Sequence, residues 1–583
     1  MEHNGGSIIG DVLARHGVRH LFTLCGGHIS PILVGAKERG IHIVDVRDEK
    51  NAVFAADAVA RMTGNVGVAA VTAGPGVTNT LTALKNAQMA QSPVLLFGGA
   101  AATVLKGRGS LQDIDQLSML RSITKWATTV KTVKSLGPTV EKAIEIARSG
   151  VPGPVFIEVP VDVLYHEELV KEWYLTESGV KNADTLAAKA LETYLKAHLY
   201  RQFHAPHIDL DLPRPDFKLP GRATPEEQVA KAAELLRNAE RPALVIGSQT
   251  LVNTPDAHAV ADAVRTLGVP TWLGGMARGL LGQHSDIQFR HKRTKALKSA
   301  DVVIVCGFPF DFRMGYGRSI GSKATVIAAN LSADELKMNR RPELPIQMHP
   351  GDFLRQLAEA VGPIGPREDW FAALREREDA RDAEIAEQAA EPVSEGLVNP
   401  VDFFLKLEEK LADDAVLVVD GGDFVATCSY IVRPRAPLSW LDPGVFGTLG
   451  VGGGFAAGAA VVRPGSEVWI IYGDGSSAYS LAEFDTYVRH GLAPIAVIGT
   501  DAAWAQIARD QGDILGDDVG TVLRRTDYQT VAEGYGGKGI LVTKADEIEG
   551  ALDEAKRLAA AGTPVCINVH IGKSDFRKGS MSM

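Results

Sequence analysis

The sequence predicts an α/β fold of three doubly wound parallel-sheet domains, on three observations. Its 583 residues exceed what one compact core accommodates and suit three domains of ordinary size. Its short β-rich runs are apolar along their whole length, as strands of a parallel sheet covered on both faces must be. Amphipathic helical runs alternate with those strands, and glycine turns close many of them.

In the first block, residues 1–180, HLFTLCGG at 20–27 reads as a strand running into a glycine turn. IHIVDV at 41–46, VGVAAVTAGPG at 66–76, SPVLLFGGA at 92–100 and GPVFIEVPVDV at 153–163 read as further strands. NAVFAADAVARMTG at 51–64 is a helix between two of them. Residues 181–225 break the rhythm with a polar helical run and then five prolines, a linker or surface excursion. The second block, 226–365, has strands in PALVIGSQ at 242–249, ADVVIVCG at 300–307 and ATVIAAN at 324–330, with glycine turns at 274–282. Residues 366–399 form a linker whose charge-rich stretch at 367–388 reads as a solvated helix at a domain boundary. The third block, 400–583, has strands in VLVVDGGDF at 416–424, EVWIIYGDGSSAYS at 467–480, PIAVIGTDAAW at 494–504 and GTPVCINVHIG at 562–572. Polar residues sit just beyond these strands, where open parallel sheets carry their ligands.

Composition excludes several classes of function. The formal charge of −10, with no basic–aromatic stripe, disfavours nucleic acid. Cys25, Cys306, Cys428 and Cys566 are scattered without CxxC spacing, so four separately buried thiols are expected rather than disulfides or a zinc cluster. The N-terminus lacks the pattern of a secretory signal, and no stretch has the apolar length of a membrane span. A reducing cytoplasm and no membrane partner are the expectation.

The strongest local signal is Gly473-Asp474-Gly475, followed 27 residues after Asp474 by Asp501. Both acids stand just beyond strongly apolar strands, and neighbouring parallel strands would set the two carboxylates side by side. A hard divalent ion takes oxygen ligands together with phosphate oxygens. Glycines admit backbone N–H groups to the phosphates, Ser476 and Ser477 add donors, and a following helix at roughly 479–490 would present its positive end. A lone GDG is also compatible with two ordinary acidic turn residues. Glu49, between a strand and a helix of small residues, is partly desolvated and suited to sharing a proton with a base; it is equally a plausible helix-start residue. Glycine loops at Gly26-Gly27-His28, Gly74-Pro75-Gly76, Gly421-Gly422-Asp423 and Gly447-Thr448-Leu449-Gly450 allow close approach of a ligand. No Walker, GxSxG or HExxH motif is present.

Taken together these residues resemble the thiamine-diphosphate enzymes of the acetolactate synthase superfamily. The resemblance rests on RDEKNAVFAADAVARMTG, on TAGPGVTNTLTALKNAQMAQSPVLLFGG at 72–99, on PGPVFIEVPVDV, on GTLGVGGGFAAGAA at 447–460 and on the GDG motif with Asp501. LCGGHISPIL at 24–33, VVDGGDF, SWLDPGVFGTLG, TDAAWAQIARDQ and the tail IGKSDFRKGS resemble the acetolactate-synthase-like branch that includes 2-hydroxyacyl-CoA lyases. In a membrane-anchored member of that branch the membrane segment precedes the matched region, in keeping with a soluble form here. The resemblance implies a pyrimidine-binding first domain, a central domain that holds FAD or an adenine nucleotide such as ADP in some members, and a diphosphate-binding third domain. It implies thiamine diphosphate and Mg2+ as cofactors. It also implies a homodimer or homotetramer, with active sites between the first domain of one subunit and the third of another.

Residue by residue, the resemblance makes Glu49 the carboxyl that hydrogen-bonds the aminopyrimidine, whose imino form takes the proton from thiazolium C2. It makes Asp474 the first metal ligand, Asp501 the second in a place where the family usually has Asn, and Ala503 a ligand through its carbonyl. Leu449 is the apolar wedge that bends the cofactor; Gly26, Gly27, Gly76, Gly422, Asp423, Gly475 and Ser476 are cofactor contacts. Gln112 is a substrate-side glutamine, and His28, facing the thiazolium, is a proton shuttle or a structural histidine. The implied reaction is cleavage of a 2-hydroxyacyl-CoA to formyl-CoA and an aldehyde or ketone. The alternatives are carboligation of 2-keto acids and a non-enzymatic, cofactor-binding regulatory protein. Lys573, Arg577 and Lys578 in the tail are candidate partners for a CoA phosphate, or a solubilising tail.

Overall fold

The computed structural model describes residues 4–180, 185–204, 225–254, 256–362, 365 and 367–577. The chain divides into two compact units, 1–216 and 217–583. Much of the proline-rich excursion and Lys578 of the tail lie outside the described residues; the polar run before the prolines is the helix Leu186–His204.

The first unit is built on one parallel sheet. Its strands are β1 (His20–Leu24), β2 (His42–Asp45), β3 (Gly67–Val71), β4 (Val94–Ala100), β5 (Trp126–Thr129) and β6 (Val155–Pro160), in the order β2-β1-β3-β4-β6-β5. β3 and β4 are buried at every residue, which is why GVAAV and VLLFGGA carry no polar alternation. The strand order reverses between β1 and β3, so a crevice opens at the carboxyl ends of those two neighbours.

The second unit holds two parallel sheets. The central one has β7 (Pro242–Ile246), β8 (Thr271–Leu273), β9 (Val302–Cys306), β10 (Thr325–Ala329) and β11 (Leu344–Ile346), in the order β11-β10-β9-β7-β8. The other has β12 (Val416–Val419), β13 (Trp440–Leu441), β14 (Val468–Gly473), β15 (Ile495–Thr500), β16 (Lys538–Val542) and β17 (Val565–His570), in the order β13-β12-β14-β15-β17-β16. Its order repeats that of the first sheet, strand for strand.

The strands that sequence reading missed are β5, β8, β11, β13 and β16, and each lies at a sheet edge. Edge strands are covered on fewer sides and need no continuous apolar run; β16, for example, is buried only at Val542. The charge-rich linker helix, Glu368–Ala390, is not simply solvated. It buries Trp370, Leu374 and Ile385, and its buried Glu378 accepts the backbone N–H groups of Arg290 (2.9 Å) and His291 (3.0 Å). Of the four cysteines, all free, Cys306, Cys428 and Cys566 are buried, whereas Cys25 at the end of β1 is exposed, against expectation.

Candidate active site

In the first unit, Glu49 opens the helix Glu49–Thr63. Asp48 caps that helix by accepting the Lys50 N–H (3.1 Å), and Gly64 ends it in the left-handed region. The caps fix where the helix starts, and the start fixes Glu49, which is 7% exposed. Its Oε2 accepts a hydrogen bond from Asn79 Nδ2 (3.0 Å). Gly76 lies alongside: a Cβ there would stand 2.9 Å from Thr72 Cγ2 and 3.7 Å from Glu49 Oε1. Thr72 also meets the loop after β1, since a Cβ on Gly26 would come within 2.4 Å of its side chain, and its Oγ1 lies 3.3 Å from His28 Nδ1. Burial lowers the His28 pKa and favours the neutral imidazole. Glu49, Gly76, Thr72, Gly26 and His28 therefore form one group at the ends of β1 and β3. Gly27 faces open space. Gln112 has a left-handed backbone (φ 63°) and packs against Gly74, where a Cβ would stand 2.9 Å from its own Cβ.

Sequence reasoning did not single out Thr72, Asn79 or Gln116. Gln116, 2% exposed, accepts the Gly74 N–H (2.9 Å) and donates to Gly99 O (3.1 Å) and Glu158 (2.9 Å). It stands four residues after Gln112, in RGSLQDIDQ at 108–116, but only the folded chain shows that its side chain ties the glycine loop down.

In the second unit, Asp474 and Asp501 follow β14 and β15, which are parallel neighbours with Gly473 opposite Gly499. Asp474 accepts the N–H groups of Gly475 and Ala502, both at 2.9 Å; Asp501 accepts that of Ala503 at 3.1 Å. Burial pushes Asp474 up to about 6. Burial, and then the charge of Asp474, pushes Asp501 up to about 7. Gly475 lies against the Trp504 ring, 2.4 Å from where its Cβ would be. Ser476 Oγ bonds both the N–H and the carbonyl of Gly473, each at 3.1 Å. Asp474–Ser477 is a single helical turn, and the next helix is Glu483–His490 rather than 479–490.

The loop after β12 completes this group. Gly422 adopts φ 120°, and Gly421 leaves room for Leu449, whose Cδ2 lies 2.3 Å from where a Cβ would be. The Asp423 carboxylate, expected on the phosphate side, is paired with Arg509 (2.6 Å) and lies 3.8 Å from Arg577. A carboxylate so committed leaves the backbone of Asp423 as its means of meeting an anion. Arg577 is likewise turned to Asp423 and to the Tyr430 ring. Asp501, Ala503, Asp423, Arg509 and Arg577 line one cavity of about 710 Å³.

A further residue, Asp420, was missed although it stands in the same VVDGGDF motif. It is buried and accepts the N–H groups of Gly450 (2.9 Å) and Gly452 (2.7 Å), which clamps the loop carrying Leu449 to the end of β12. Burial raises its pKa to about 7.

These residues fit a metal-bound diphosphate. A buried carboxylate, Asp474, whose charge raises the pKa of the half-buried Asp501 beside it is relieved by a hard cation, and glycines bring backbone close to the site. Among the described residues no cluster of three or more His, Cys, Asp or Glu could hold a metal, so carbonyl and phosphate oxygens would complete the shell, as suits magnesium. The central domain is different. Gly247 and Gly274 are both filled by Phe308, whose ring atoms lie 2.7 Å from where either Cβ would stand, and Gly307 packs on Thr250.

This fold and these two groups define a class. The chain belongs to the thiamine pyrophosphate enzymes: residues 3–119 match the N-terminal TPP binding domain, 229–357 the central domain and 420–569 the C-terminal TPP binding domain. It is 47% identical to the 2-hydroxyacyl-CoA lyase 2 of Danio rerio, over 100% of this chain and 93% of that protein. With the Homo sapiens 2-hydroxyacyl-CoA lyase 2 the identity is 46%, over 100% and 92%. A probable acetolactate synthase of Mycobacterium bovis is 32% identical, over 97% and 95%. Among the described residues no helix is long and apolar enough to cross a membrane.

Proposed function

We propose that the protein is a 2-hydroxyacyl-CoA lyase that cleaves its substrate to formyl-CoA and an aldehyde or ketone. The observation that carries this choice over 2-keto acid carboligation is the 46–47% identity, along the whole chain, to proteins named 2-hydroxyacyl-CoA lyase 2, against 32% for an acetolactate synthase. Thiamine diphosphate, when bound, supplies the carbon nucleophile. Glu49, positioned by Asn79, holds the proton shared with the aminopyrimidine. Asp474, Asp501 and the Ala503 carbonyl would hold Mg2+; Gly422, Gly475, Ser476 and the backbone of Asp423 would meet the diphosphate, and Leu449 would support the cofactor from its apolar side. Gly26, Gly27 and Gly76 leave room on the pyrimidine side, and Gln112 lies toward the substrate. His28, with Nδ1 turned to Thr72, takes the proton of the 2-hydroxyl on Nε2 while the bond between C1 and C2 breaks. The net change moves that proton to C1, which leaves as formyl-CoA. Domains at 1–180, 226–365 and 400–583, and active sites shared between subunits of a homodimer or homotetramer, complete the reading.

The test is a paired assay on the Mg2+- and thiamine-diphosphate-loaded protein. Formyl-CoA and a carbonyl product from a panel of 2-hydroxyacyl-CoAs, with no acetolactate from pyruvate, is the expected result. Acetolactate with no formyl-CoA at any chain length would reverse the choice.

A further inference from the structure

Lys106 and Gln116 bracket Gln112 in the chain, and both reach the same buried carboxylate. Glu158, on β6 and 1% exposed, accepts Lys106 Nζ on Oε1 and Gln116 Nε2 on Oε2 (2.9 Å). Gln116 in turn accepts the Gly74 N–H on its own Oε1 (2.9 Å). We propose that Glu158 is a positioning residue: it staples both ends of the segment carrying Gln112 and, through Gln116, fixes the glycine loop that packs beside Glu49. The inference rests on the placement of Glu49 and Gln112 in the proposed reading and is independent of the acyl group that is cleaved.

The segment between the two anchors needs such a staple. It contains neither helix nor strand, and Leu105, Arg108, Leu111 and Ile114 are exposed. Its own bonds are local, from the Gly107 N–H to Asp113 (2.5 Å) and from Ser110 to Leu105 O (3.3 Å). Exposed backbone with only local bonds samples many conformations unless something holds it. Gln112 nevertheless stands at φ 63°, in the left-handed region that residues with a Cβ rarely adopt. Gly74, at φ 61°, packs against it. A conformation of this kind persists where the surroundings impose it.

A buried carboxylate suits the task. Left without a cation in the sheet, its charge would be costly, so Lys106 is drawn inward from an exposed part of the chain. Glu158 itself is held firmly: its backbone lies in register with Gly98 on β4 and Thr129 on β5, and Thr129 donates to its Oε1 (2.7 Å). Gln116 is fixed in direction as well. Its oxygen faces the Gly74 N–H, and its NH2 faces Glu158 and Gly99 O (3.1 Å), so a turned amide would set donor against donor. Donation therefore runs from Gly74 through Gln116 to Glu158, where it meets the charge of Lys106. Both backbone points that Gln116 holds adjoin the proton-sharing group. Gly74 leads into Gly76 beside Glu49 Oε1, and a Cβ on Gly99 would stand 2.5 Å from His28 Cβ.

The test joins two readouts on the full-length protein: amide hydrogen–deuterium exchange, and exchange of the thiazolium C2 proton of bound thiamine diphosphate, followed by NMR without substrate. Glu158→Gln sets its NH2 against that of Gln116 and breaks the chain of donors. Protection of segments 72–78 and 106–113 should then fall together by about tenfold, while the helix Val133–Arg148 keeps its protection and thiamine diphosphate affinity changes by less than about threefold. C2 exchange should slow by about tenfold or more. The exchanged pair Q116E/E158Q again offers Gly74 an acceptor and matches donor to acceptor between the two side chains, so both readouts should recover to within about threefold. If either variant fails to fold, as its melting curve shows, Gln116→Met replaces it. That change removes the tie to Gly74 but keeps Lys106 on Glu158, so 72–78 should loosen while 106–113 stays protected. Unchanged protection or unslowed C2 exchange in Glu158→Gln, loosening of one segment alone in that variant, no recovery in the folded exchanged pair, or unchanged 72–78 in Gln116→Met would each overturn the inference. The expected exchange results, with no formyl-CoA from the unaltered enzyme, would uphold the staple and refute the lyase reading.

Discussion

The first and last sheets share one strand order yet carry opposite electrostatics at equivalent places. At the reversal between β1 and β3 stand a neutral histidine, a threonine and one carboxylate whose Oε2 is already bonded to Asn79. At the reversal between β12 and β14, and beyond β15 beside it, stand buried Asp420 and Asp474 and half-buried Asp501, all raised to about 6 or 7. The same backbone crevice therefore serves two tasks. One site is organised by hydrogen bonds for proton sharing. The other holds excess negative charge that a cation and its phosphates complete. Topology provides the crevice, and the residues at its lip decide the chemistry.

The largest expected effect tests the hydrogen-bonded side. Glu49→Gln keeps the shape and the bond to Asn79 but cannot carry the proton; turnover should fall by about 10²- to 10⁴-fold. Metal-dependent binding of thiamine diphosphate, followed by calorimetry, should remain measurable. Equal turnover in the variant would refute proton sharing at Glu49 and erase the contrast between the two crevices.

An intermediate effect sharpens the charged side. Asp474→Asn should abolish magnesium-dependent cofactor binding at millimolar metal. Asp501→Asn, which restores the amide usual in the resembling family, should retain activity within about tenfold, because an amide oxygen still ligates and the like-charge repulsion is gone. Magnesium titrations of both variants check this, and equal loss in both would show that the two carboxylates are not distinguishable ligands.

The smallest effect concerns Asp420, which touches loop rather than metal. Its folded pKa is raised, so the native state favours the protonated form; its contribution is present at pH below the ordinary carboxylate range and is lost as pH rises toward about 7. Asp420→Asn removes that titration but leaves an NH2 group facing one of the two glycine N–H donors. The variant should lose about 1–3 kcal/mol at pH 5 and less at pH 8. Urea melts at the two pH values check this; a larger loss at pH 8 would mean that the anion, not the acid, clamps the loop.

Part of the candidate site was legible because its residues are local to strand ends. Glu49, Asp474 and Asp501 each follow a short apolar run, and two neighbouring strands suffice to bring the last two together. Asp420 stood in the quoted VVDGGDF and Gln116 four residues from Gln112, yet both were passed over, since their partners lie 30 and 42 residues away and are backbone N–H groups, which no sequence pattern marks. The linker helix was read as solvated because its charges are evenly spread; burial of Glu378 depends on amides of the central domain.

By itself the sequence determined the fold class, the interior strands and the acids at their ends. An interior strand must be apolar on both faces, and such a run is visible wherever it occurs. The tertiary structure alone decided the edge strands, the direction in which Asp423 and Arg577 turn, the filling of the glycine turns by Phe308 and the gathering of six cations around one cleft. Those cations come from residues 278–295 and from Arg381, and the wall they face comes from residues 429–434. Charges that distant in the chain meet only after the sheets have packed, and their mutual repulsion is a property of that packing.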